Sequence, residues 1–260
     1  MTPITRILPL EGVENFRDFG GYLAANGRQM RPGRFWRSAH LGRATEADLD
    51  AMQALDLTTV VDLRRPKERG SEPSRRPAGF SGEVIDCDVG DRAEAPHLAF
   101  LRDTDLTPAS VDAFFLDYYA KAPFEPRHAI LFRRYFEALL GSEASILIHC
   151  TAGKDRTGLL AALTHHVLGV HRDDAIADFM LTNSAARVEA RAPMVAEALT
   201  QSLGKVPSDI AVRLFLGVNG KYLDAALHAI AGERGSLEAY LADLGVDAAG
   251  TEQLRDRYLA

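Results

Sequence analysis

The sequence predicts an α/β protein with a mainly parallel sheet flanked by helices and a helical C-terminal half. Three observations carry this. Short runs at 58–63, 83–87 and 145–149 are rich in β-branched and apolar residues, as in strands buried within a sheet. Helical patterns separate the later strands, and everything after Arg172 reads as helix. No repeat, low-complexity tract or long linker divides the 260 residues, so a single domain over 1–260 is expected.

Taken in order, Phe19-Gly20-Gly21-Tyr22 and Gly33-Arg34-Phe35-Trp36-Arg37-Ser38 flank Asn26-Gly27, the tight-turn pair of a short hairpin. Thr45 followed by Asp48 marks a helix start, and Leu49, Met52 and Leu55 then share one face. The Arg/Pro/Ser-rich stretch after residue 63 reads as loop by composition, as does the polar stretch 90–107. Helices are expected near 108–121, 126–140 and 158–168. The tail is expected to break near Pro193, Pro207, Gly220, Gly235 and Gly245. Within it, residues 185–216 form two amphipathic helices whose default fate is packing on the core.

Composition narrows the function classes. Net charge is −6, unevenly spread: residues 1–76 hold 13 Lys/Arg against 10 Asp/Glu, the remainder 17 against 26. No strong basic stripe appears, so no nucleic-acid partner is expected, whereas the mildly basic first third suits a small anion. No apolar run reaches about 18 residues and no signal-peptide pattern opens the chain, so neither membrane insertion nor classical export is expected. Two cysteines, 63 positions apart, make no disulfide framework, and a reducing cytoplasm is the expected compartment. Export by a route without a classical signal would leave no mark on the sequence.

The chemistry concentrates in one stretch, His149-Cys150-Thr151-Ala152-Gly153-Lys154-Asp155-Arg156-Thr157-Gly158, between the last strand and a helix. A loop turning from strand to helix aims successive backbone N–H groups inward, where the helix dipole adds partial positive charge. Thr151, Ala152, Gly153, Lys154 and Asp155 would line such a phosphate cradle, small Ala152 and Gly153 allowing the tight curl. Cys150 at its base is the expected nucleophile, ionised near neutrality by these surroundings. Arg156 would grip two phosphoryl oxygens with its planar fork. The Thr157 hydroxyl would stabilise the thiolate, and His149 would buttress the loop. The bland alternative is a turn that happens to bury a cysteine. A nucleotide-binding Walker loop fails, because Ile148 stands where Gly is needed and Asp155 where Ser or Thr is needed.

This loop resembles the signature of bacterial tyrosine/dual-specificity protein phosphatases, the His-Cys-x5-Arg-Thr-Gly cysteine phosphatases. Asn15-Phe16-Arg17-Asp18, Arg31-Pro32-Gly33-Arg34, Arg37-Ser38, Asp62-Leu63-Arg64, Asp178 through Asn183, Tyr222-Leu223 and Gly235-Ser236-Leu237-Glu238-Ala239-Tyr240-Leu241 extend the resemblance over nearly the whole chain. It implies a tyrosine-phosphatase-type fold, catalysis without metal or cofactor, and action on phosphotyrosine proteins or peptides. Activity on phosphoserine, phosphothreonine and phosphoinositides is a further implication, as is a helical lid over 185–216. The resemblance also makes Asp155 the general acid; Asp62, at a strand end, is the next choice, with Asp88 and Asp91 as wall residues. Lys154 would add a cation favouring multiply charged substrates, or would simply pair with a carboxylate. The rival functions are a phosphoinositide or inositol-phosphate phosphatase, a phosphate-binding pseudophosphatase, and a sulfurtransferase with a loop cysteine. His165 and His166 are adjacent on a helix and diverge, so no metal is expected. Cys87 reads as a core residue, with an oxidative bridge to Cys150 as the alternative.

Overall fold

The computed structural model describes residues 6–89 and 95–260. Five strands, β1 (Arg17–Asp18), β2 (Phe35–Ser38), β3 (Thr59–Asp62), β4 (Glu83–Ile85) and β5 (Ile146–His149), form one sheet in the order β1-β2-β5-β3-β4. β1 runs antiparallel to β2, and every other pairing is parallel. The last strand in the chain is therefore the central one. His149 sits between Ser38 of β2 and Asp62 of β3, and the chain leaves β5 at a point where the strand order reverses. Crevices form at such switch points, beyond the carboxyl ends of parallel strands.

Alternation along the strands sorts the sheet's two faces. Val61, Ile146 and Ile148 enter the larger core with Phe132, Tyr135, Leu160 and Leu163. Val60 and Leu147 enter a smaller one with Val13, Phe16, Leu49 and Met52. Helix α1 (Glu46–Gln53) covers that second face and starts on the expected Thr45 cap, reciprocated by Asp48. The Asn26-Gly27 turn closes a hairpin reduced to single bridges, with Gly27 at φ +80°.

Two stretches expected to be loop are helical. Pro66 opens α2 (Pro66–Ser71) and Pro96 opens α3 (Pro96–Asp103). At a first helical position proline loses no hydrogen bond and its ring presets φ. The Glu68 carboxylate accepts the Arg65 N–H at 2.7 Å, which completes the start of α2. The same proline start opens α4 (Pro108–Lys121) and α5 (Pro126–Gly141). Next, α6 spans Asp155–Val167, beginning three residues earlier than the composition indicated because the phosphate-type loop feeds directly into it.

The tail comprises α7 (Arg172–Met180), α8 (Thr182–Ala185), α9 (Val188–Leu203), α10 (Asp209–Leu216), α11 (Gly220–Arg234), α12 (Leu237–Asp243) and α13 (Ala248–Tyr258). Contrary to expectation, α9 runs through Pro193. That proline gives up one backbone bond, and the surrounding Ala190, Ala192, Ala196 and Ala198 favour helix strongly enough to continue. The expected breaks near Pro207, Gly220, Gly235 and Gly245 all occur. No helix among the described residues is long and apolar enough to cross a membrane.

Candidate active site

Cys150 follows β5 directly and is 2% exposed, at the floor of a cleft of about 960 Å³ including its open mouth. The loop beyond it curls because Gly153 takes φ +63°, and a Cβ there would fall 2.3 Å from the Ser38 backbone. The loop's carbonyls are turned away from the cleft and tied down. His40 N donates to Thr151 O at 3.1 Å. Asn15 Nδ2 donates to Ala152 O at 3.1 Å and Gly153 O at 2.8 Å. Arg37 Nη2 donates to Gly153 O at 3.0 Å and Lys154 O at 3.4 Å. The N–H groups from Thr151 to Arg156, by contrast, donate to no acceptor among the described residues. A row of unspent amides at a helix N-terminus around a buried sulfur is an anion cradle.

Arg156 stands at the rim with its fork held by a partner. Its Nη1 and Nη2 donate to the two Glu68 carboxylate oxygens at 2.7 and 2.8 Å, with further bonds to Leu63 O and Thr151 Oγ1. Burial alone would raise the Glu68 carboxyl, but Arg156, Thr151 and the Arg65 amide hold it well below the usual carboxylate range. Glu68 thus aligns the guanidinium in plane, leaving Nε without an acceptor among the described residues.

Asp155 lines the same cleft, and one of its oxygens accepts the Tyr119 hydroxyl at 2.8 Å. The aromatic rings of Phe114, Phe115, Tyr118 and Phe215 form the walls above it. His97 also lines the cleft; burial, reinforced by the Arg156 charge, keeps its imidazole neutral to lower pH than usual.

A sequence model of the tyrosine phosphatase family matches residues 8–260. The chain belongs to that family. A Cupriavidus necator protein provisionally named a tyrosine-protein phosphatase is 37% identical, covering 97% of this chain and 88% of its own. The triple specificity protein phosphatase PtpB of Mycobacterium tuberculosis is 32% identical, covering 95% and 96%. A tyrosine-protein phosphatase of Nostoc commune is 28% identical, covering 86% and 73%.

The other residues that the sequence singled out take varied places in this phosphatase, some as expected and some not. Lys154 does not extend its ammonium to the cradle. It is 5% exposed, lies 4.3 Å from the centre of the Phe115 ring, and donates to Phe215 O at 2.7 Å; 3.7 Å from Asp155 Oδ1, it makes the carboxylate pairing that was the other expectation. Burial lowers its pKa. Asp62 is absent from the cleft lining and is gripped by Arg64, which donates to its two oxygens at 2.9 and 2.7 Å. Burial would raise that carboxyl, but His149 and Arg64 hold it well below its ordinary range, the wrong direction for an acid. His149 is fully buried behind the loop, 3.7 Å from Asp62, with its ring nitrogens otherwise unpartnered. Thr157 Oγ1 is buried without a hydrogen-bond partner, so the expected bond to the sulfur is not made in this state. Asp88 pairs with Arg69 at the surface, and Asp91 lies outside the described residues. Cys87 and Cys150 are both buried thiols.

Sequence reasoning gave Glu68, Asn15, Arg37 and Asp178 no role at the site. Asp178 accepts from Arg37 at 2.7 Å and from Arg17 at 3.3 Å, all three side chains being essentially unexposed. The available signal was a run of Arg, Asn and Asp at positions now buried, and burial is invisible without the fold.

Proposed function

We propose that this phosphatase hydrolyses phosphotyrosine through a phosphocysteine intermediate on Cys150. The carrying observation is the buried sulfur at the floor of a cleft whose loop amides, Thr151 to Arg156, donate to no acceptor among the described residues. In the first step the thiolate attacks phosphorus, the bond from phosphorus to the phenolic oxygen breaks, and Asp155 protonates the leaving oxygen. In the second, Asp155 takes a proton from water, whose oxygen displaces sulfur and releases inorganic phosphate. The cradle amides and Arg156 hold the equatorial oxygens throughout. Thr157, with an uncommitted hydroxyl, is the donor in reserve for the departing sulfur.

The four aromatic rings above the loop support an aryl phosphate, long enough to reach a sulfur this deep. Ala186, Arg191, Phe215 and Leu216 line the cleft from residues 185–216, which supports the reading of that segment as a lid over Cys150. The Mycobacterium tuberculosis relative is named a triple specificity protein phosphatase, which favours a range broader than phosphotyrosine; phosphoserine, phosphothreonine and phosphoinositides are the further substrates of this proposal. Steady-state assays of the parent and Cys150→Ser on aryl phosphate, phosphopeptides and phosphoinositides test both readings. Turnover of phosphotyrosine peptides that disappears in Cys150→Ser is expected. Tight phosphopeptide binding without turnover by the parent would instead identify a pseudophosphatase.

A further inference from the structure

We propose that Asn15 is a positioning residue that presets the phosphate loop for the reaction, holding the Ala152 and Gly153 carbonyls outward so that the following N–H groups face the substrate. The inference rests on the cysteine-phosphatase reading of the loop and deepens it. In a trans peptide the C=O and the following N–H point in opposite directions. Fixing Ala152 O and Gly153 O on the far side therefore aims the Gly153 and Lys154 N–H groups into the cradle. Asn15 makes both bonds with one amide nitrogen, at 3.1 and 2.8 Å, and thereby spends its two donors.

The residue is built for this and not for contact with substrate. It is 1% exposed and does not line the cleft. Its backbone sits at φ +59°, a left-handed conformation that asparagine tolerates better than most side chains. Two restraints fix it directly, and a third holds the residue that supplies the first. Arg17 Nη1 donates to its Oδ1, which sets the orientation of the amide. Its own N–H donates to Ala185 O at 3.1 Å, at the end of α8. Arg17 is in turn anchored by Asp178 and by Thr182 Oγ1 at 3.3 Å. Asn15 thus ties the loop amides to α8, the short helix that leads into residues 185–216, so loop geometry and the root of that segment share one hydrogen-bonded network.

Two substitutions separate positioning from folding. Asn15→Gly keeps the left-handed backbone and removes the side chain. Asn15→Asp keeps its shape and its tolerance of positive φ but cannot donate to carbonyls. Measured quantities are inhibition constants for inorganic phosphate and orthovanadate, the pH profile of iodoacetate alkylation at Cys150 located by peptide mass, and kcat and KM for an aryl phosphate. Folded state is followed by near-ultraviolet circular dichroism. Weakening of phosphate and vanadate by roughly 10-fold or more, an alkylation midpoint moved to higher pH, and kcat reduced by about 10²-fold are expected in the folded variants. Parental inhibition constants and alkylation profile in Asn15→Gly would overturn the proposal, because a residue that merely supports the fold leaves both unchanged in folded protein. Anion binding and alkylation do not require turnover. A parent that fails to hydrolyse phosphomonoesters would thus defeat the phosphatase mechanism and leave the Asn15 result legible by itself.

Discussion

Glu68 converts Arg156 from a mobile cation into an aligned one, and the two residues carry the first prediction. Glu68→Gln replaces one accepting oxygen with a donor that opposes the guanidinium. The fork then loses its second anchor, and kcat/KM for an aryl phosphate is expected to fall by roughly 10–100-fold, since small misplacements at a reacting centre reach 10²-fold. Parental kcat/KM in that variant would remove Glu68 from the site. Asp155 carries the second. Asp155→Asn should slow phenyl phosphate by about 10²–10⁴-fold while sparing an activated nitrophenyl ester, whose leaving group needs little protonation. A steady-state comparison of the two esters reads this directly, and equal losses would mean that Asp155 supports the loop without donating a proton. The Tyr119 hydroxyl on its other oxygen supplies the orientation such an acid requires.

At the scale of elements, the contact between the phosphate loop and α10 is decided by Lys154. Its ammonium caps a carbonyl near the C-terminus of α10, where a cation complements the helix dipole, between the Phe115 and Phe215 rings. Lys154→Met keeps most of the packing volume and removes the bond. Faster amide exchange in α9 and α10, with little change in α5 or α6, is the expected outcome in a hydrogen-exchange experiment. Uniform exchange in parent and variant would mean that Lys154 does not hold the segment. Helices were legible in sequence where hydrophobic periodicity was long, as in α4 and α5, and failed where function replaced it. α2 buries none of its residues and carries no apolar stripe. It exists to present Glu68 from a capped first turn, so composition alone read it as loop.

For the molecule as a whole, stability should fall in two stages on acidification. His128 and His149 are buried, and burial holds both near pKa 4. His128 Nδ1 lies 2.8 Å from Ala122 O, and its Nε2 lies 3.2 Å from both Arg127 Nη2 and a Glu125 oxygen; burial, helped by Arg127, outweighs the pull of that carboxylate. Unfolding lets both take a proton at an ordinary histidine pKa. Their contribution is therefore complete above about pH 6.5 and declines as pH falls toward 4, each proton steepening the loss by about 1.4 kcal/mol per pH unit. Asp178 follows at lower pH. Burial would raise its carboxyl, but Arg17 and Arg37 outweigh burial and hold it at about 2, so its stabilisation is lost as pH falls from its ordinary 3.8 through 2. Urea titrations across pH 3–8 check both stages, and a flat profile between 6.5 and 4 would contradict the first. Asp178→Asn leaves two buried guanidinium groups short of a counter-charge and should cost about 3–5 kcal/mol at pH 7.

Sequence alone determined what is contiguous: the strand, cysteine, loop and helix of 146–167 lie within one stretch, and their chemistry follows from residue type and spacing. It also determined the α/β class, because buried strands and amphipathic helices advertise themselves through local periodicity. Tertiary structure decided how that loop is held and which carboxylate pairs with its arginine. Glu68 meets Arg156 across 88 positions and Asn15 meets Gly153 across 138, separations over which no local pattern survives. The same packing withdrew Asp62 into an ion pair with Arg64 and turned Lys154 toward α10. A buried polar group takes whatever partner the fold brings within about 3 Å, and that choice is made only when the chain has closed around it.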